Sequence, residues 1–162
     1  MSYPEPIYGG ATGEASATFR SADHEPELIY QTGNTVHYLG TGDSTNGQFG
    51  LYRWEMGPEP SGPGPHFHRS FSESFYILGG TVRIYDGHRW IDTSPGAFIH
   101  VPAGGIHGFR NESGDPASML LLFAPGAPRE GYFEALAEFA VSGKPSDEEL
   151  AEFYLRHDNL WL

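Results

Sequence analysis

The chain of 162 residues sets 21 acidic side chains against nine basic ones, for a formal net charge of −12, and contains no cysteine. That balance argues against a nucleic-acid surface, which needs clustered Lys and Arg. No apolar run approaches the roughly 18 residues of a membrane-spanning helix, and thiol or disulfide chemistry is excluded. The length suits one domain, and 22 scattered glycines, 13 prolines and 14% aromatic residues suit short strands and turns, so the predicted class is all-β.

In chain order, residues 1–25 are rich in Gly, Ala, Ser, Pro and Glu, with Ile7, Tyr8 and Phe19 as large apolar anchors, and read as an arm outside the core. The opening MSYPEPIYGG lacks a basic stretch followed by an apolar one, so no secretory signal is expected and the cytoplasm is the default location. A barrel is predicted over 26–126. Its first strands are ELIY, TVHYL and QFGLYRWEM, separated by the turns QTGN and GTGDSTNG. The segment GPEPSGPGP, residues 57–65, can be neither helix nor central strand and forms a loop leading into His66. After it, FYIL and TVRIY are strands, Asp86-Gly87 is a strong hairpin signal with HRWI returning, and FIHVP, HGFRN and SMLLLFAPG complete about ten strands. Such a set suits a sandwich or barrel of the jelly-roll kind.

From 127 to 162 the period turns helical. Phe133, Leu136, Phe139 and Ala140 form one stripe, and Ser146 with Glu149 is a capping box opening a second, short helix that carries Leu150, Phe153 and Tyr154. Both are expected to pack by their apolar faces on the outside of the barrel.

Chemistry concentrates in GPGPHFHRSFSESFYILGG, residues 62–80. On a strand, His66 and His68 point the same way, roughly 6–7 Å apart along the backbone, so two imidazoles can share an ion. A tight reversal after His68 would return the Glu73 carboxylate beside them. Alone, one H-x-H is more often two surface histidines on a hairpin. A second stretch, GAFIHVPAGGIHGFRN (96–111), alters that balance: Pro102 ends a strand, Gly104 and Gly105 permit a tight turn, and His107 opens the next strand as a fourth candidate ligand.

These two stretches resemble the motifs of the cupin superfamily. The first motif is H-x-H, three or four residues, Glu, six residues, Gly, fitted by His66, His68, Glu73 and Gly80. The second is met at Gly96, Pro102, Gly104, His107 and Asn111. One departure is Pro60, where the family usually has Gly, and Gly62 and Gly64 are expected to serve that turn instead. The tail, GYFEALAEFA followed by PSDEELAEF, is similar to that of single-domain cupins of the quercetin 2,3-dioxygenase-like kind. The resemblance implies a double-stranded β-helix barrel with an N-terminal arm and one or two C-terminal α-helices. It also implies a homodimer, which would cover the open sheet edges.

Three neutral imidazoles and a carboxylate would leave a divalent ion, whether Fe, Mn, Ni, Co, Cu or Zn, with two coordination positions open, an arrangement suited to catalysis. The expected activity is a metal-dependent dioxygenase acting on a small oxygenated aromatic or enolic compound, with Glu73 as catalytic base. The alternatives are a polyketide cyclase, an isomerase or epimerase, and a non-enzymatic small-molecule-binding cupin. Tyr52, Trp54, Phe75, Tyr76 and Phe109 are candidates for the pocket wall or for plain core. His24, His88 and His157 read as solvated. His37 and His100 lie on strands where alternation can turn either one inward, His100 toward a supporting place beside the ligands, and Asn111 reads as holding a turn.

Overall fold

A computed structural model describes residues 2–162. Met1, the first residue of the predicted arm, lies outside the described residues. The strands are β1 (Leu28–Ile29), β2 (Thr35–Gly40), β3 (Gly50–Met56), β4 (His66–Phe67), β5 (Ser72–Gly79), β6 (Val82–Tyr85), β7 (Trp90–Thr93), β8 (Phe98–Val101), β9 (Gly108–Arg110) and β10 (Ala117–Ala124). Helices α1 (Glu130–Ser142) and α2 (Asp147–Arg156) follow, and a last strand, β11 (Leu160–Trp161), ends the chain.

Six strands pair antiparallel in the order β1-β2-β3-β10-β5-β8, and β7-β6-β9 form a smaller sheet facing them. Alternation decides which side is core. Along β3, Tyr52, Trp54 and Met56 are buried; along β10, Ala117, Met119, Leu121 and Phe123 are; along β5, Glu73, Phe75 and Ile77 turn to the same side. The two sheets meet through Phe109 of β9, whose ring lies 6.0 Å from Trp54 and 5.8 Å from Phe75. Each such fully buried apolar side chain contributes about 1.5–3 kcal/mol.

The three-stranded sheet covers only part of this inner face. The rest is covered by α1, which differs from the expectation of helices on the barrel's outside. Phe133 inserts among inward-facing residues, edge-on to Tyr52 at 5.4 Å and to Trp54 at 5.1 Å. The helix is fastened there because Tyr30 Oη donates to the Phe133 carbonyl at 3.0 Å and the Tyr52 hydroxyl donates to Glu130. The physical reason is the uncovered end of the large sheet, where Tyr52, Trp54 and Phe123 need an apolar partner that the short strands β7, β6 and β9 cannot supply.

Helix α2 begins at the capping box read from the sequence: Ser146 Oγ accepts from the Glu149 amide at 3.3 Å, and Glu149 returns a carboxylate oxygen to the Ser146 amide at 3.0 Å. The chain then runs back along the barrel, and β11 pairs antiparallel with β4, Leu160 opposite Phe67 and Trp161 opposite His66. Up to β1 the described chain has no regular element, with Tyr3, Ile7 and Phe19 exposed. Among the described residues, no helix is long and apolar enough to cross a membrane.

Candidate metal centre

Local geometry places each donor. Gly62 has φ +122°, and a Cβ there would stand 2.1 Å from the Phe109 carbonyl, so only glycine lets the 57–65 loop run against β9 before entering β4. His66 is then locked to His107 by reciprocal backbone bonds of 2.8 and 2.9 Å. The tight turn at Pro102–Gly105 closes through Gly105 N–H to the Pro102 carbonyl at 2.9 Å, with Gly104 at φ +83°, and it delivers His107. Glu73 enters from β5, in register with Phe123 on one side and Val101 on the other. His66, His68, Glu73 and His107 are all buried, and one candidate donor atom from each lies within 4.8 Å of the others.

The hydrogen bonds behind these donors fix their tautomers. His66 Nδ1 is 2.9 Å from the Gly64 carbonyl, His68 Nδ1 2.6 Å from the Asp158 carbonyl and His107 Nδ1 2.9 Å from the Gly105 carbonyl. A carbonyl can only accept, so Nδ1 carries the proton in each ring and a neutral imidazole has a bare lone pair at Nε2. Two of those nitrogens face Glu73 Oε2, His68 at 3.2 Å and His107 at 2.9 Å. Lone pairs opposed in this way call for a cation, and the spacing matches the about 3 Å that separates adjacent ligands on an ion bound at 2.0–2.2 Å. The donor set therefore fits a divalent metal.

The donors also act on one another's protonation. Burial by itself would raise the Glu73 carboxyl, but the charge of His107 and hydrogen bonds to His107 and His68 outweigh it and hold the group well below the ordinary carboxylate range. Burial, then the neighbouring His107, push His66 down to about 4, so it is neutral at pH 7. For His107, burial works downward and is overcome by Glu73, which raises it.

A cavity of about 320 Å³ opens beside these donors and is lined by His66 and Glu73. Trp54 and Phe109 of the predicted pocket wall border it. Tyr52 and Phe75 are fully buried core instead, and Tyr76 is 43% exposed on the opposite face of β5. Three of its walls come from α1, α2 and β11, through Phe133, Tyr154 and Trp161.

The remaining histidines divide. His24 and His88 are exposed as expected. His157 is not free in solvent: it packs on Phe153 at 4.7 Å and Tyr132 at 5.5 Å. His100 is exposed and bonds Ser74 Oγ at 2.9 Å, away from the four donors, because its neighbour Val101 takes the inward position. His37 is buried between Arg53 and Arg20 on the outer side of β2. Asn111 satisfies its amide entirely within the fold, donating to the Gly57 and Asp115 carbonyls at 2.8 Å each and accepting from the Ser113 amide and hydroxyl at 3.1 and 2.7 Å.

Sequence reasoning missed two participants. Asp158 accepts from His68 Nδ1 through its carbonyl, and its carboxylate accepts from the Arg69 and Ser70 amides at 2.9 and 2.7 Å, holding the reversal that returns the chain to Glu73. Arg129, only 4% exposed, lines the cavity. For Asp158, the one available signal was a short apolar pair, Leu160–Trp161, just after Asp158-Asn159; nothing marked Arg129.

Comparisons with known proteins agree with this architecture. Residues 52–123 match the cupin domain. The chain is 32% identical over 108 residues to quercetin 2,3-dioxygenase from Bacillus subtilis (strain 168), covering 66% of this chain and 31% of that protein. It thus spans about a third of the length of that curated relative. Among solved structures, it is similar to the polyketide cyclase RemF from Streptomyces resistomycificus, with TM-score 0.55, 25% identity and coverage of 67% of this chain and 78% of that one. A structure described as a predicted oxalate decarboxylase from Thermotoga maritima superposes with TM-score 0.58 at 21% identity, over 67% of this chain and 99% of that one, a likeness of fold.

Proposed function

The chain belongs to the cupin superfamily, and on that premise we propose that it is a metal-dependent dioxygenase acting on a small oxygenated aromatic or enolic compound. The observation that carries this reading is the convergence of three imidazoles and one carboxylate at the wall of an aromatic-lined cavity. Likeness to a quercetin 2,3-dioxygenase across the barrel supports it.

His66, His68, Glu73 and His107 would hold the ion. Bound there, Fe, Mn, Co, Ni, Cu or Zn supplies Lewis acidity toward a hydroxyl oxygen and, for a redox-active ion, one-electron chemistry with dioxygen. The protein's own work is positioning and proton transfer. Trp54 and Phe109, set edge to face at 69°, and the covering helix residue Phe133 give the cavity an apolar wall on which a ring can pack. Glu73 is ionised at neutral pH because His107 and His68 hold its carboxyl low, and the carboxylate oxygen not given to the ion is the one left to receive a substrate's hydroxyl proton.

Oxygen uptake by the metal-loaded protein tests this with a flavonol, a catechol and an enolic polyketide in turn. Uptake matched to substrate loss, reduced about 100-fold or more in Glu73→Gln, is the expected result. No uptake with any of the three removes the dioxygenase reading. A second reading, polyketide cyclase, is favoured by the likeness to RemF and would give turnover under anaerobic conditions.

A further inference from the structure

The chain ends beside a candidate metal ligand. Strand β11 pairs with β4, and the register sets Trp161 opposite His66. Directly opposed residues of an antiparallel pair project from the same face. Trp161 therefore shares the side on which His66 meets the cavity, and both residues line it. The indole lies 5.1 Å from the His66 ring, tilted by 41°, and 5.2 Å from the Tyr154 ring, edge to face at 69°. A ligand that enters the cavity to reach the four donors meets this indole beside His66.

The other large rings of the cavity are committed to the core. Trp54, Phe109 and Phe133 are buried against one another, and Phe123 and Tyr132 are buried as well. Of the aromatic residues lining the cavity, Trp161 alone is exposed, at 38%. It keeps the broadest uncovered ring surface there. The strand that carries it is two residues long, but its base is fixed. Arg129 holds the His157 carbonyl and Asn159 Oδ1, and the Asn159 amide donates to the Tyr154 carbonyl at 2.9 Å. Asp158 is tied to Arg69 and Ser70, and past Trp161 the Leu162 amide reaches the Pro65 carbonyl at 3.4 Å. An indole already held in place loses little freedom when a ligand packs on it, so the contact is not offset by ordering.

We propose that Trp161 is the ring-recognising residue of this site: a ligand held at the four donors by its oxygens packs an aromatic ring against the Trp161 indole. The inference rests on the metal-dependent reading. It narrows the substrate class from aromatic or enolic compounds to those with a ring next to the coordinating oxygens. Recognition of that ring is then supplied by the last strand of the chain, apart from the residues that supply the donors.

The test uses protein loaded with Zn(II), which is redox-inert and leaves the ligand unconsumed. Two bidentate oxygen ligands are titrated calorimetrically: 4-nitrocatechol, which has a ring, and acetohydroxamate, which has none. Wild type, Trp161→Phe and Trp161→Leu are compared, and metal content is measured on each. Trp161→Leu is expected to weaken 4-nitrocatechol about three- to tenfold, with acetohydroxamate binding and metal content unchanged. Trp161→Phe, which keeps a ring, should lose less. Three results would each overturn the proposal: unchanged 4-nitrocatechol affinity in Trp161→Leu, an equal loss in Trp161→Phe, or equal weakening of both ligands. In the last case Trp161 would only support His66.

Should the variants not fold, wild type still decides by NMR. The Trp161 indole N–H resonance, assigned by through-bond connectivity, must move with the ring current of 4-nitrocatechol and respond less to acetohydroxamate; equal shifts, or none, overturn the proposal. Failure of the metal reading shows separately, because protein that takes up no Zn(II) sinks it. Trp161 is then judged on the metal-free cavity, where 4-nitrocatechol must still bind wild type more tightly than Trp161→Leu. No binding there, or no difference, overturns the assignment.

Discussion

At the scale of single residues, the site is organised by what stands behind each donor as much as by the donors. Three backbone carbonyls accept from the Nδ1 atoms and so leave three Nε2 lone pairs bare, two of them facing the Glu73 carboxylate. Removing one imidazole should therefore cost more than one ligand bond. In His107→Ala, Glu73 loses its closest neighbour at 2.9 Å and the foremost of the groups that keep its carboxyl low. Wild type is expected to carry one divalent ion per chain by plasma mass spectrometry, and His107→Ala to bind it about 100-fold or more weakly. Retention of a full equivalent in the variant would show that the four donors are not the site.

At the scale of elements, the reversal between β4 and β5 is held from far along the chain. Asp158, in a left-handed conformation at φ 52°, places its carboxylate against the Arg69 and Ser70 amides while its carbonyl orients His68. Asp158→Ala is expected to weaken metal binding about 10–100-fold, with Asp158→Asn, which keeps an acceptor and tolerates the backbone, losing less. Isothermal titration of the metal-free proteins checks the order.

The end of the arm depends on a different element, β2. Burial, then Arg53 and Arg20, lower the pKa of His37 below its ordinary 6.5, so the ring is neutral and accepts from Arg53 at 3.0 Å. Because the unfolded chain binds that proton more readily, the stabilisation is complete above about pH 6.5 and is lost as pH falls below it. The urea midpoint should drop between pH 7.5 and 5.5 by more in wild type than in His37→Gln, and equal drops would exclude His37 as the cause.

At the scale of the whole molecule, the inner face of the large sheet is filled from three directions: the small sheet, α1, and the α2–β11 return. Its outer face is not filled. Leu120, Tyr76 and Phe98 stand side by side across β10, β5 and β8, with Tyr76 43% and Phe98 64% exposed, and β8 is an open edge. We propose that the homodimer expected from the sequence covers this face with a second copy of the chain. Light scattering on the eluting protein should give twice the 17.8 kDa chain mass, and Phe98→Asp should shift it to the monomer. A wild-type mass of one chain would refute it.

The sequence by itself determined the all-β class, the four donors and both helices. Each of those signals is local: alternation at period two, histidines at fixed spacing from glycine and proline turns, and a capping box four residues long. His66, His68, Glu73 and His107 could be picked out because their spacing to the flanking turns is written within two short stretches. Asp158, Arg129 and β11 could not, because each acts through contacts made across long separations. Asp158 meets His68 from 90 positions away, and Arg129 holds His157 and Asn159 across 28 and 30. A two-residue strand has no periodicity to read, and one buried arginine looks in sequence like any exposed one. Only the folding of the tail back over the barrel decided that the cavity has a roof, and that this roof brings a positive charge to it.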